Sequence, residues 1–253
     1  MATEPLPSSA PMAEPQAQIS PVGRLVGMFF TPKATFQDIV QKPTWLLPMA
    51  VIVIFAVIGV VCLNAHFDWK DYVAQQIEKS SQASSLSAEQ KQQRAEVGAK
   101  YSPLFAYIFG IPAPIVSLLL ISLVVMAAYN LLSGAGANYK TSLAIVTHAF
   151  IPAAMVGTFL FVLVLFLKPV GSFDLENPVA TNLAILFPEG SSKWLMALGK
   201  NIDLLEFWKL ILLGIGFSVL NPKKLKGAKP YTIIFGLFLV YIVIRVGIAF
   251  IFS

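Results

Sequence analysis

The amino-acid sequence predicts an all-α fold: a polytopic membrane helix bundle of about five transmembrane helices, with an N-terminal interfacial helix and polar outer-loop helices. Three observations predict it. Hydrophobic residues make up 57% of the 253-residue chain and charged residues only 12%, against about 25% charge in a soluble domain. The mean hydropathy is +0.74, more apolar surface than one water-soluble core could enclose, and lipid is the solvent that removes the problem. The apolar residues also gather into long runs, separated by short basic segments and by two sparser stretches around residues 66–103 and 168–202.

Taken in order, residues 1–20 are rich in Pro, Ala, Ser and Gln and lack the apolar and basic regions of a signal peptide. They read as a disordered tail, and residues 21–253 as one membrane domain. In VGRLVGMFFTPKATFQDIVQK, Thr31-Pro32 marks a helix start with Thr31 as N-cap. Phe36, Ile39 and Val40 share a face of that helix, which ends near Pro43, and it fits the inner membrane interface. The first span covers residues 45–65 and opens on the interfacial Trp45. Trp69, Tyr72, Val73, Gln76 and Ile77 continue a helical stripe beyond it. The linker SSQASSLS follows, and then the Ser87/Gln90 capping-box pattern starts a second polar helix that runs to about Lys100.

The second span covers about 105–132, with Pro112 and Pro114 kinking its outer part. After the Gly-rich turn SGAGANYK, the third span covers about 142–167 and contains Pro152. NLAILF, in the next polar stretch, is too short to cross and reads as a re-entrant or surface element. The fourth and fifth spans, about 203–220 and 231–252, flank the turn NPKKLKGAKP. The basic-turn residues Lys223, Lys224, Lys226 and Lys229, together with Lys140 and the group Arg24, Lys33 and Lys42, fall on one side of a five-span bundle. The positive-inside rule makes that side cytoplasmic and puts the C-terminus outside. The same turn offers charge to anionic lipid or to an acidic partner.

Sequence motifs for catalysis are lacking. His66 and His148 are the only histidines, and HExxH, GxSxG, GxGxxG and P-loop patterns are missing. The single cysteine, Cys62, permits no intramolecular disulfide and no Cys-based metal cluster. The chain therefore reads as a non-enzyme with no catalytic, metal or cofactor-binding residues, no cofactor and no nucleic-acid partner. Its expected partners are the lipid bilayer and other membrane proteins.

The candidate site residues are polar groups in or beside the spans: Glu206, Arg245, Asp203, His148 and Asn130. Asn130 and His148 lie at comparable depth on either side of SGAGANYK, which predicts that they meet, with His148 neutral. Glu206 and Arg245 are equidistant from the centre of the last turn, which predicts an ion pair, with Asp203 as second choice.

The strings FFTPKATFQDIVQKPTWLLP, YKTSLAIVTHAFIPAAM and IDLLEFWKLILLGIGFSVLNPKKLKGAK resemble the bacterial branch of the Yip-domain family of Ypt/Rab-interacting membrane proteins. The resemblance runs from about Pro21 onward and implies a five-helix bundle with a cytoplasmic N-terminus. Eukaryotic members of that family are linked to vesicle traffic and prenylated Rab GTPases. The acidic and Tyr-Gly-Pro elements of those members have no counterpart here. The resemblance implies no catalytic residues. It points to a scaffold or adaptor of membrane organisation or trafficking type in a bacterial inner membrane, with a small-molecule or ion transporter or channel-like protein as the alternative.

Overall fold

The computed structural model describes residues 18–80, 82–169, 173–188 and 190–251. Most of the expected tail, Ser81 in the serine linker, and Ser253 lie outside the described residues. The helices are α1 (Pro21–Phe30), α2 (Pro32–Gln41), α3 (Leu46–His66), α4 (Trp69–Lys79), α5 (Ala88–Gly110), α6 (Pro112–Ser133), α7 (Tyr139–Leu167), α8 (Lys193–Asn201), α9 (Leu204–Leu220) and α10 (Lys229–Ile251). The described residues form no strand, and a lone bridge joins Asn182 to Asp203.

Among the described residues, four helical stretches are long and apolar enough to cross a membrane: α3, the nearly continuous α5–α6 stretch, α7 and α10. The expected fourth span is α9, an apolar helix of 17 residues, or about 25 Å. It packs along α2, α7 and α10.

Local chemistry accounts for most boundaries. Ser20 caps α1 by accepting the Gly23 N–H at 3.0 Å, and Pro21 takes the first helical position, where its missing N–H removes no bond. The single helix expected from Thr31-Pro32 is therefore the second arm of a helical hairpin. Thr31 makes no side-chain cap, and its carbonyl instead accepts the Thr35 hydroxyl at 2.9 Å. The outward face of α1 is apolar (Val22, Val26, Phe30), whereas that of α2 is polar (Lys33, Gln37, Gln41).

The Ser87/Gln90 capping box forms in both directions, at 2.9 and 3.2 Å. The helix it starts does not end at Lys100. It continues to Gly110, and the break falls at Ile111, because Pro112 has no N–H with which to extend the ladder. α4 and α5 run antiparallel, bridged by Lys91–Glu78 at 2.9 Å and Lys70–Glu96 at 3.4 Å. The NLAILF segment forms a 3-10 turn, Leu183–Leu186, docked on α8.

The two tight turns meet at one end of the bundle. Gly134 adopts φ 60 at the α6 C-terminus, the left-handed conformation that favours glycine. Asn221 donates to the Ala135 carbonyl at 3.0 Å, and the Lys224 amine donates to the Gly134 carbonyl at 2.6 Å. Near this lysine-bearing end, residues 141–149 of α7 are all buried, enclosed by the hairpin arms and by α3, α6 and α9. A smaller apolar cluster of Leu63, Leu165 and Phe173 closes the far end of α3 and α7.

Candidate functional site

The far half of the bundle is open. A cavity of about 520 Å³ lies between α3, α6, α7 and α9. Its mouth carries Glu176, Asn182, Lys200 and Asp203, and its floor is Ile52, Leu118, Phe150 and Ala153. The small side chains of Ala56, Ser117 and Ala154 leave the space. Glu206 and Lys209 reach in from α9, and their 2.5 Å ion pair is between neighbours three apart on one helix. The Lys209 Nζ also lies 4.9 Å from the centre of the Phe150 ring, a cation–π contact that holds the amine towards α7.

Asp203 serves the α9 terminus. One carboxylate oxygen accepts the Leu205 and Glu206 N–H groups at 2.8 and 3.1 Å. The other accepts the Thr181 hydroxyl at 2.5 Å. This places a negative charge at the positive end of the helix dipole and ties the 176–182 segment to α9. Glu176 extends the link outward. It lies 3.6 Å from Lys200 and accepts from Gln76 of α4 at 3.4 Å. Burial raises the Tyr72 phenol above its ordinary value, and the Glu176 and Asp174 carboxylates raise it further. The α4–α5 arm is thereby joined to the rim of the cleft.

The structure separates the residue pairs expected from depth. Arg245 is exposed on α10, and Glu206 takes Lys209 as its partner. Equal distance from a turn sets equal depth but not the same side of two helices, and a local partner needs no register. Nor does Asn130 meet His148. Asn130 closes its own turn, donating to the Ala137 carbonyl and accepting the Ala137 N–H, both at 2.8 Å. The His148 Nδ1 lies 2.8 Å from the Ala144 carbonyl, one turn back in α7. All four lysines of the basic turn, Lys223, Lys224, Lys226 and Lys229, are exposed, and the Lys224 amine also donates to the Gly134 carbonyl.

Sequence reasoning missed the buried ion pair Arg24–Asp38, 2.6 Å long. Arg24 also donates to the Lys42 carbonyl at 3.0 Å and to Thr44 at 2.8 Å, which fastens the hairpin to the start of α3. The Ser20-Pro21 start of α1 was the available signal, since it repeats the Thr31-Pro32 pattern. Thr181, Glu176 and Lys200 were missed because only the fold brings them to α9.

Among the described residues, no three His, Cys, Asp or Glu side chains are grouped to hold a metal ion. The cleft offers charge pairs and an apolar floor, the chemistry of binding an amphiphile or a partner segment. No curated protein and no solved structure matches the chain. Residues 26–246 match the family model for the Yip1 domain. That stretch holds both turns, the Glu206–Lys209 pair and most of each helix long and apolar enough to cross a membrane, and the chain is therefore a member of the Yip1 domain family of membrane proteins.

Proposed function

We propose that this protein is a non-enzymatic scaffold or adaptor of membrane organisation or trafficking type, seated in a bacterial inner membrane. In this reading α9 is the fourth of five spans, and the lysine-bearing turns and the N-terminus face the cytoplasm. The α1–α2 hairpin lies at the inner interface, with its apolar ridge towards lipid and its polar ridge towards water. The arm made by α4 and the polar first part of α5, up to about Lys100, stands outside and presents the partner surface.

The observation that carries the reading is the sealed half of α7. Every residue from 141 to 149 is buried, and the far-end cleft goes no deeper along α7 than Phe150. A cleft with no passage through the sealed half suits a protein that holds something better than one that conducts it. Transport is the second reading, favoured by the charged mouth of the same cleft.

A photo-crosslinking residue at Gln93, on the exposed face of α5, tests the first reading in native membranes. A discrete protein adduct, lost when Arg94 and Val97 are replaced by Glu, is expected. Failure to trap any protein, together with solute flux through reconstituted vesicles, overturns scaffolding in favour of transport. Orientation has its own check on a variant lacking Cys62. A cysteine at position 226 is expected to resist impermeant reagents in intact cells, and labelling there reverses the topology.

A further inference from the structure

We propose that the Glu206–Lys209 pair binds the headgroup of a phospholipid carrying both a phosphate and an ammonium, with an acyl chain in the groove between α6 and α10. Two cavities meet at this pair. The polar-mouthed cleft ends on Phe150, Glu206 and Lys209. A second cavity, of about 370 Å³, starts from the same three residues and runs between α6, α9 and α10, past Val124, Leu213 and Leu237. A polar chamber that opens into an apolar groove has the shape and polarity of an amphiphile.

The surroundings of the groove identify its occupant. Its rim residues Leu120, Val124 and Tyr241 are 57%, 55% and 48% exposed. They stand on the outer surface of two helices apolar enough to cross a membrane. Acyl chains are what that surface meets, so the groove opens sideways onto lipid.

Charge selects the headgroup. The cleft is lined by the acids Glu176, Asp203 and Glu206 and by the bases Lys200 and Lys209. Asp203 is occupied by the α9 N-terminus and Thr181, and Glu176 and Lys200 face each other. Among the described residues, the Glu206 carboxylate is bonded to the Lys209 amine, and that amine otherwise faces the Phe150 ring. A lone anionic headgroup would neutralise Lys209 and leave Glu206 without its cation. A phosphate on Lys209 with an ammonium on Glu206 exchanges one pair for two, so no charge is left buried and alone.

The full-length protein is reconstituted in phosphatidylglycerol vesicles holding a trace of acyl-photoactivatable phosphatidylethanolamine, and crosslinked peptides are mapped. Labelling is expected to concentrate at residues 120–125 and 234–241 over the lipid-exposed 104–109 stretch of α5. Unlabelled phosphatidylethanolamine is expected to compete it away. Glu206→Gln and Lys209→Met should each reduce the groove labelling about tenfold, the effect of one lost charge-assisted bond. Leu237→Trp fills the groove without touching the pair and should do the same, while α5 labelling stays constant and reports an intact bundle. Equal labelling of groove and α5, stronger groove labelling by a phosphatidylglycerol probe in phosphatidylethanolamine vesicles, or indifference to Glu206→Gln and Leu237→Trp overturns the proposal. If Lys209→Met does not insert, the other two variants decide the matter.

Discussion

The two halves of α7 treat polar groups in opposite ways. In the sealed half, Ser142, Thr147 and His148 each bond to a carbonyl one turn back in their own helix. Ser122 in α6 and Thr35 in α2 do likewise. These groups need no partner across the bundle, so apolar packing decides how the helices meet. In the open half, charges are joined across segments: Asp203 to Thr181, and Glu176 to Lys200 and Gln76. The sealed half is built for closeness and the open half for a charged surface. At the sealed end the Tyr129 hydroxyl does bond across, to the Pro230 carbonyl of α10, and the Arg24–Asp38 pair is the charged exception, a cross-helix contact buried there.

That exception gives the largest expected effect. Arg24→Ala leaves Asp38 without its cation, and the Lys42 carbonyl and Thr44 hydroxyl without a donor. Breaking one side of a buried pair costs about 3–5 kcal/mol. Unfolding in mixed micelles should show that loss for Arg24→Ala, whereas Glu176→Ala, in the open half, removes a carboxylate that is 55% exposed and should cost less than about 1 kcal/mol. Equal losses for the two variants would erase the distinction between the halves.

A smaller effect separates the halves by packing alone. A Cβ at Gly216 would lie 2.5 Å from the Ile145 Cγ2 and 3.0 Å from the Phe36 ring, and both side chains are wholly buried. Gly216→Ala is expected to cost about 1–3 kcal/mol by overpacking. At Gly157, in the open half, the nearest atom is the Leu205 Cδ1 at 3.3 Å, the end of a side chain that can turn into the cleft. Gly157→Ala should be neutral, or stabilising by up to about 1 kcal/mol through helix propensity. Thermal unfolding of the two variants side by side checks the contrast.

The parts of the fold legible in the sequence were those set within one or two turns of chain. The apolar runs marked α3, α6, α7 and α10, and Ser87 with Gln90 marked the start of α5. The Gly-rich string marked the turn that Gly134 and Asn130 close. Relations between helices were not legible in the same way. Hairpin arithmetic gives depth along the axis, but rotation about the axis decides contact, and Arg245 turned outward. Part of the cleft was visible as Asp203 and Glu206. Its other wall comes from a segment more than twenty residues earlier in the chain, brought there by the Asn182–Asp203 bridge. Arg245→Ala is accordingly expected to change stability by less than about 0.5 kcal/mol. A larger loss in the micelle assay would restore a pairing role for this arginine.

The smallest expected effect tests whether the α4–α5 arm obeys surface electrostatics, as a water-exposed extension of the open half should. The Glu96 carboxylate accepts from Gln92 at 3.1 Å and from Lys70 at 3.4 Å. The Gln92 bond, then the Lys70 bond and charge, hold its pKa below the ordinary 4.5. Because the folded value is the lower one, the ionised form favours the folded arm. That contribution is present above the unfolded value and fades as pH falls through the folded value. In Lys70→Met, Glu96 should titrate closer to 4.5 yet remain below it, since the Gln92 donor stays in place. Carboxylate-detected NMR titration of the reconstituted protein, in low and high salt, measures both. Salt should shift the wild-type value towards that of the variant, because an exposed pair is screened within about 10 Å at 0.1 M. A Glu96 value indifferent to Lys70→Met and to salt would mean that the arm is not water-exposed at this position, and the contrast with the sealed half would fail there.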